Sequence, residues 1–138
     1  MRAVFDPNVL ISALLSPHGA PAELLLAWLQ GRLELVVSPL LLKELERALA
    51  YARLRKHITS SEADQFVAWL RAAAELVADP AASPTTRSRD PGDDYLVALA
   101  ESARAAVVSG DKHLLELHDQ LPVFRPSAFL RLLDERSP

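Results

Sequence analysis

The chain has 138 residues, half of them hydrophobic, which fits one domain with a sizeable core and is too apolar for a disordered chain. It has no cysteine, which excludes disulfides and thiolate metal sites. Its net charge of -3 excludes a global basic field, so nucleic-acid binding would need a local basic patch or bridging cations.

In chain order, Arg2 to Phe5 reads as a short buried strand ending at Asp6, and Pro7 biases Asp6 toward an extended conformation. No secretory signal is expected, because Asp6 and Pro7 interrupt the N-terminus early, and no apolar run approaches the roughly 18 residues of a membrane span. A soluble, cytoplasmic location is the expectation. Asn8 to Leu15 reads as one or two helical turns, broken at Ser16-Pro17-His18-Gly19. Pro21 to Gln30 predicts an amphipathic helix with Leu24, Leu25, Trp28 and Leu29 inward, stopped by Gly31. Leu33 to Val37 is a second strand. Ser38 caps a helix with Pro39 at its first position, running to about Arg53. Ser60 or Ser61 is expected to cap a long helix with Phe66, Trp69, Leu70 and Ala73 at helical spacing. Its tail, Glu75 to Val77, offers a short edge strand. Trp28 and Trp69 read as packing residues, not base-stacking ones. The basic run Arg53, Arg55, Lys56 and His57 suits either a helix C-terminus or RNA phosphates.

Asp79 to Ser88, with Pro80 and Pro84, is a surface loop. The helix after Asp94 ends near Arg104, and Ala105 to Ser109 is a strand turned by Gly110. A short helix over Lys112 to His118, a strand at Val123-Phe124 and a closing helix from Ser127 to Asp134 complete a single domain, 1–138. Strands alternating with helices predict a parallel sheet covered on both faces.

The chemistry lies in acids at strand ends. Asp6 follows the first strand and Asp111 follows Val107-Val108-Ser109-Gly110. In open α/β sheets, ligands bind outside the carboxyl ends of the strands. Glu44 flanks the apolar stripe of its helix and can turn to that edge, whereas Glu46 looks solvated. Arg89-Asp90-Pro91-Gly92-Asp93-Asp94 places three carboxylates in five residues before the apolar run Tyr95 to Ala100. Two carboxylates about 4 Å apart repel by roughly 4 kcal/mol at an effective dielectric near 20, so some point to solvent or a cation sits among them. Asp90 reads as a helix cap and Asp94 as too far in to cap; whether Asp90 or Asp93 joins a cation stays open. Asp6 can likewise cap a helix, alone or alongside a metal role. An all-oxygen donor set suits Mg²⁺ or Mn²⁺, ions that support phosphodiester chemistry.

Val4-Phe5-Asp6-Pro7-Asn8-Val9-Leu10, Ser38-Pro39, Lys43-Glu44-Leu45, Asp90-Pro91-Gly92-Asp93-Asp94 and Ser109-Gly110-Asp111-Lys112 resemble the PIN-domain ribonucleases. They are most similar to the VapC-like toxins of bacterial toxin–antitoxin pairs, and the likeness covers nearly the whole chain. It implies a three-layer α/β/α sandwich with a central parallel sheet. It places the family's four acidic positions, catalytic and metal-holding, on Asp6, Glu44, Asp94 and Asp111. It further implies substrate contacts from Asn8, Ser109 and Lys112, cleavage of RNA with Mg²⁺ or Mn²⁺, homodimerisation and a cognate antitoxin. The chain departs from the family pattern at Pro7, where a hydroxyl residue is common, and at His113, where an acid is common. The competing functions are a haloacid-dehalogenase-type phosphohydrolase and an inert PIN-like binding protein. The former usually needs a second Asp where this chain has Asn8. Leu10, Leu14, Leu24 and Leu25 are expected to leave an apolar groove for the antitoxin.

Overall fold

The computed structural model describes residues 1–136. Five strands, β1 (Arg2–Phe5), β2 (Glu34–Val37), β3 (Glu75–Leu76), β4 (Ala106–Val108) and β5 (Val123–Phe124), form one sheet in the order β3-β2-β1-β4-β5. Every pairing is parallel: Ala3 lies opposite Leu35 on one side and Ala106 on the other. The three central strands are apolar on both faces, with Val4, Val36 and Val107 fully buried, as a sheet covered on two sides requires. The helices are α1 (Pro7–Leu15), α2 (Ala20–Leu29), α3 (Pro39–Leu49), α4 (Ala52–Arg55), α5 (Ser60–Ala73), α6 (Asp94–Ala103), α7 (Lys112–Leu115) and α8 (Pro126–Arg136). The result is the expected three-layer α/β/α sandwich. Glu75-Leu76, the doubtful helix tail, is the edge strand β3.

This strand order positions the site. From β1 the chain steps outward to β2 and β3, then returns to lay β4 on the other side of β1. The direction of winding therefore reverses between β1 and β4, and a crevice opens above their carboxyl ends. Asp6 and Ser109 are the residues that leave those two strands there.

Three local expectations change. Leu29 is 60% exposed, and Ala27 takes an inward place beside Leu24. Helix α2 is apolar almost all round, so periodicity alone could not choose its buried face. Leu10 and Leu24 are fully buried, so of the four leucines proposed for a groove only Leu14 and Leu25 keep any surface. Finally, the helix expected to reach Arg53 stops at Leu49. Tyr51 is extended (φ -62°, ψ 141°) and starts the separate turn α4. Among the described residues no single helix is long and apolar enough to cross a membrane.

Candidate functional site

A cavity of about 410 Å³ opens at the β1/β4 crevice. Asp6, Asn8, Glu44, Asp90, Asp93 and Asp111 line it, with Arg47, Tyr51, Arg53 and Tyr95. Asp6 is buried and makes two kinds of contact. One carboxylate oxygen accepts the Asn8 backbone N–H (3.1 Å), which caps α1. The other accepts the Ser109 hydroxyl (2.7 Å). Asp6 thus fills the capping role expected of it and also lines the cavity, with Pro7 behind it at the first helical position. Burial raises the Asp6 pKa and the Asp111 charge raises it further, while the hydrogen bonds from Ser109 and Asn8 oppose them.

Ser109 is fully buried. Its Oγ donates to Asp6 and accepts the Asp111 backbone N–H (3.0 Å), so it holds the two acids together. The substrate contact expected of Ser109 has no surface from which to be made. Lys112 is exposed at the start of α7 and does not line the cavity, whereas Asn8 is exposed and does. Asp111 caps α7 by accepting the His113 backbone N–H (2.9 Å). His113 lies half-buried outside the cavity lining.

The segment 90–94 divides its acids in a way the residue pattern does not reveal. Asp94 opens α6, and its Oδ2 accepts from Arg87 (3.0 Å); it is not among the residues that line the cavity. Asp93, one residue earlier and at the end of a 3-10 turn over Pro91–Asp93, lines it instead. Asp90 caps that turn through Gly92 N–H (3.0 Å) and also faces the cavity. A Cβ on Gly92 would lie 3.2 Å from the Asp90 carboxylate, so a bare backbone keeps the turn closed. Carboxylate oxygens of Asp90, Asp93 and Asp111 lie within 4.8 Å of one another. The structure therefore brings together Asp6, Glu44, Asp111 and Asn8 of the expected set, with Asp93 where Asp94 was expected. Ser88, which the sequence did not single out, donates its hydroxyl to Asp93 (3.3 Å). Its signal was a serine shortly before an Asp-Pro turn.

Such crowding disfavours ionisation. Burial, then the charges of Asp111, Asp90 and Asp6, raises the Asp93 pKa to about 6, and the Ser88 hydrogen bond only partly opposes this. Burial and the surrounding acids likewise push the Tyr95 phenol up, so it is neutral at physiological pH. A cation among the carboxylates would relieve both effects. The donor set is all oxygen and closely spaced, and it fits Mg²⁺ or Mn²⁺. Glu44, on α3, forms an ion pair with Arg47 (3.4 Å). A second cavity of about 450 Å³, lined by Leu14, Leu15, His57, Ile58 and Glu62, has only one carboxylate, and Glu62 is already engaged in capping α5.

An open parallel sheet with carboxylates gathered at its switch point defines an acid-centred α/β protein. This chain belongs to the PIN domain family, whose model matches residues 2–113. Members of that family are generally nucleases, which places the chain among nuclease-type proteins. It is 27% identical over 120 residues to the protein MJ1680 of Methanocaldococcus jannaschii, covering 87% of this chain and 77% of that one. The fold is similar to PAE2754 from Pyrobaculum aerophilum (TM-score 0.65, 16% identity, 99% of this chain and 91% of that one). It is also similar to VapBC2 from Rickettsia felis, solved bound to a promoter DNA fragment (TM-score 0.59, 12% identity, 91% and 98%).

Proposed function

We propose that this protein is a divalent-metal-dependent endoribonuclease and the toxin of a toxin–antitoxin pair, working in the cytoplasm as a homodimer. The observation that carries the reading is the meeting of Asp6, Glu44, Asp90, Asp93 and Asp111 in one open cavity at the switch point. Asp90, Asp93 and Asp111 would hold Mg²⁺ or Mn²⁺, with Asp6 lining the same cavity. Such a cation would offset charge on the phosphate and make a water nucleophilic at neutral pH.

The chain's own residues do the rest. Ser109 fixes the Asp6 carboxylate and the Asp111 backbone in one geometry. Ser88 orients Asp93. Glu44, partly exposed, lining the cavity and outside the Asp90–Asp93–Asp111 group, is left to accept a proton from the attacking water. Asn8 offers an amide that can donate to a phosphate oxygen. The haloacid-dehalogenase alternative lacks its proton donor at Asn8, and the family match gives it no support. The antitoxin partner and the homodimer rest on the family and on the VapBC2 likeness.

Labelled RNA and a colourless phosphomonoester, incubated in parallel with Mn²⁺ or with chelator, test this reading. RNA cleavage that needs the metal and falls with Glu44→Gln but not Glu46→Gln is expected. Full cleavage after exhaustive chelation would overturn the metal dependence, and no cleavage in any condition would leave an inert PIN-like binding protein. Affinity purification from the native host should recover an antitoxin that suppresses cleavage. Recovery of only an active homo-oligomer would overturn the pairing.

A further inference from the structure

We propose that Tyr51 is a stacking platform for one unpaired base of a single-stranded RNA, with Arg47 and Arg53 taking the adjoining phosphates. The inference rests on the ribonuclease reading above and extends it to how the strand is held.

The charge around the cavity is uneven. Carboxylates line it from the end of β1, from the 90–93 turn and from Asp111 beyond β4, with Glu44 on α3 as the carboxylate of the remaining side. The arginines that line it, Arg47 and Arg53, both come from the α3–α4 segment. With the reacting phosphate at the acids and their cation, a strand that lies across the α3–α4 segment brings its adjoining phosphates to the arginines that line the cavity. Arg47 is paired with Glu44, but its side chain is 59% exposed, and an exposed pair of this kind is worth little, so a phosphate can take over the guanidinium.

Tyr51 lies between these arginines in the chain and lines the same cavity. The helix breaks there without a glycine or proline, and the extended backbone of Tyr51 sets a large ring at the cavity mouth, 50% exposed. Among the described residues the close ring pairs are Trp28–Trp69, Phe66–Trp69 and Phe124–Phe129; Tyr51 belongs to none of them. The other tyrosine of the cavity, Tyr95, is mostly buried and packs against the core. A half-exposed ring flanked by cations is the arrangement by which single strands are gripped, because every base offers a π-face while the arginines follow the backbone.

Steady-state cleavage of a short RNA with Mn²⁺, together with a scan that places one abasic nucleotide at each position in turn, tests the proposal. Tyr51→Ala should raise KM about tenfold with kcat little changed, and Tyr51→Phe should match the wild type, because the ring face is what binds. One abasic position should cost the wild type the same factor and cost Tyr51→Ala nothing further. Arg53→Gln should raise KM and flatten its salt dependence. Circular dichroism checks that each variant is folded. The proposal is overturned if KM is unchanged in Tyr51→Ala, if Tyr51→Phe falls as far as Tyr51→Ala, or if every abasic penalty persists undiminished in Tyr51→Ala. A wild type that cleaves no RNA would remove the ribonuclease reading and this inference together. A wild type that cleaves normally while Tyr51→Ala is silent removes the inference alone.

Discussion

Asp93 and Ser109 act on the same cluster in opposite senses. Asp93 is an acid whose pKa in the fold, about 6, stands above its ordinary value of 3.8. Between those values the folded chain binds more protons than the unfolded chain. Its contribution to stability is therefore fully present below pH 3.8 and is lost as pH rises through about 6. In chelator, Asp93→Asn should remove this slope and leave the protein more stable than wild type at pH 7.5, by about 1 kcal/mol once solvent screening of a half-exposed group is allowed for. Urea titrations of both proteins across pH 4 to 8 measure it; parallel curves would contradict it. Ser109 supports the cluster. Ser109→Ala removes a buried hydrogen bond to a carboxylate and should cost about 2 kcal/mol in the same titrations. At this scale Asp6, Glu44 and Asp111 were legible because strand ends and one helix face locate them. The choice between Asp93 and Asp94 was not. It depends on whether Pro91–Asp93 forms a 3-10 turn before α6, and one residue of helical phase turns a carboxylate through roughly 100°.

At the level of elements, the joints were harder to see than the elements themselves. Helix α5 is capped by Thr59, whose hydroxyl accepts Glu62 N–H while the Glu62 carboxylate accepts Thr59 N–H. This is the Thr-x-x-Glu pattern, set one residue before the serines that seemed to serve. The end of α3 gave no such sign, because Ala50 and Tyr51 are ordinary helix residues. The end of α6 carries strain. Arg104 is left-handed (φ 53°, ψ 49°), the described non-glycine residue with positive φ, and its N–H closes the helix on Ala100 and Glu101. A side chain in that conformation costs roughly 1 kcal/mol that glycine avoids. Arg104→Gly should accordingly stabilise the protein by about that amount, seen as a higher urea midpoint at unchanged m-value. A lower midpoint would mean that the Arg104 side chain supplies more than its backbone loses.

Across the whole molecule, the candidate cation site joins the 90–93 turn to Asp111, with α6 and β4 between them in the chain, so a metal bound there stabilises only the folded state. At a hundredfold excess over Kd the gain is about 2.7 kcal/mol, a readily measured rise in Tm. Mn²⁺ should raise the Tm of the wild type and of Asp94→Asn, and should lose most of that effect with Asp93→Asn. The reverse pattern would return Asp94 to the site. The parallel sheet and its helical layers were legible from alternating strand and helix patterns. The strand order was not, because pairing of β1 with β4 leaves no mark in local sequence.

That pairing has a consequence for how the protein is made. The bond from Ser109 to Asp6 spans 103 residues. During synthesis Asp6 and Glu44 leave the ribosome long before Asp93 and Asp111. Strand β1 can find β2 early, but its other edge stays bare until β4 emerges. Until then Asp6 has neither its serine nor its neighbouring acid, and the arginine wall faces half a site. A chain released before residue 111 cannot assemble the cluster at all. Translation order thus delays assembly of the cluster until most of the chain has been made, and a fragment that ends before residue 111 lacks it.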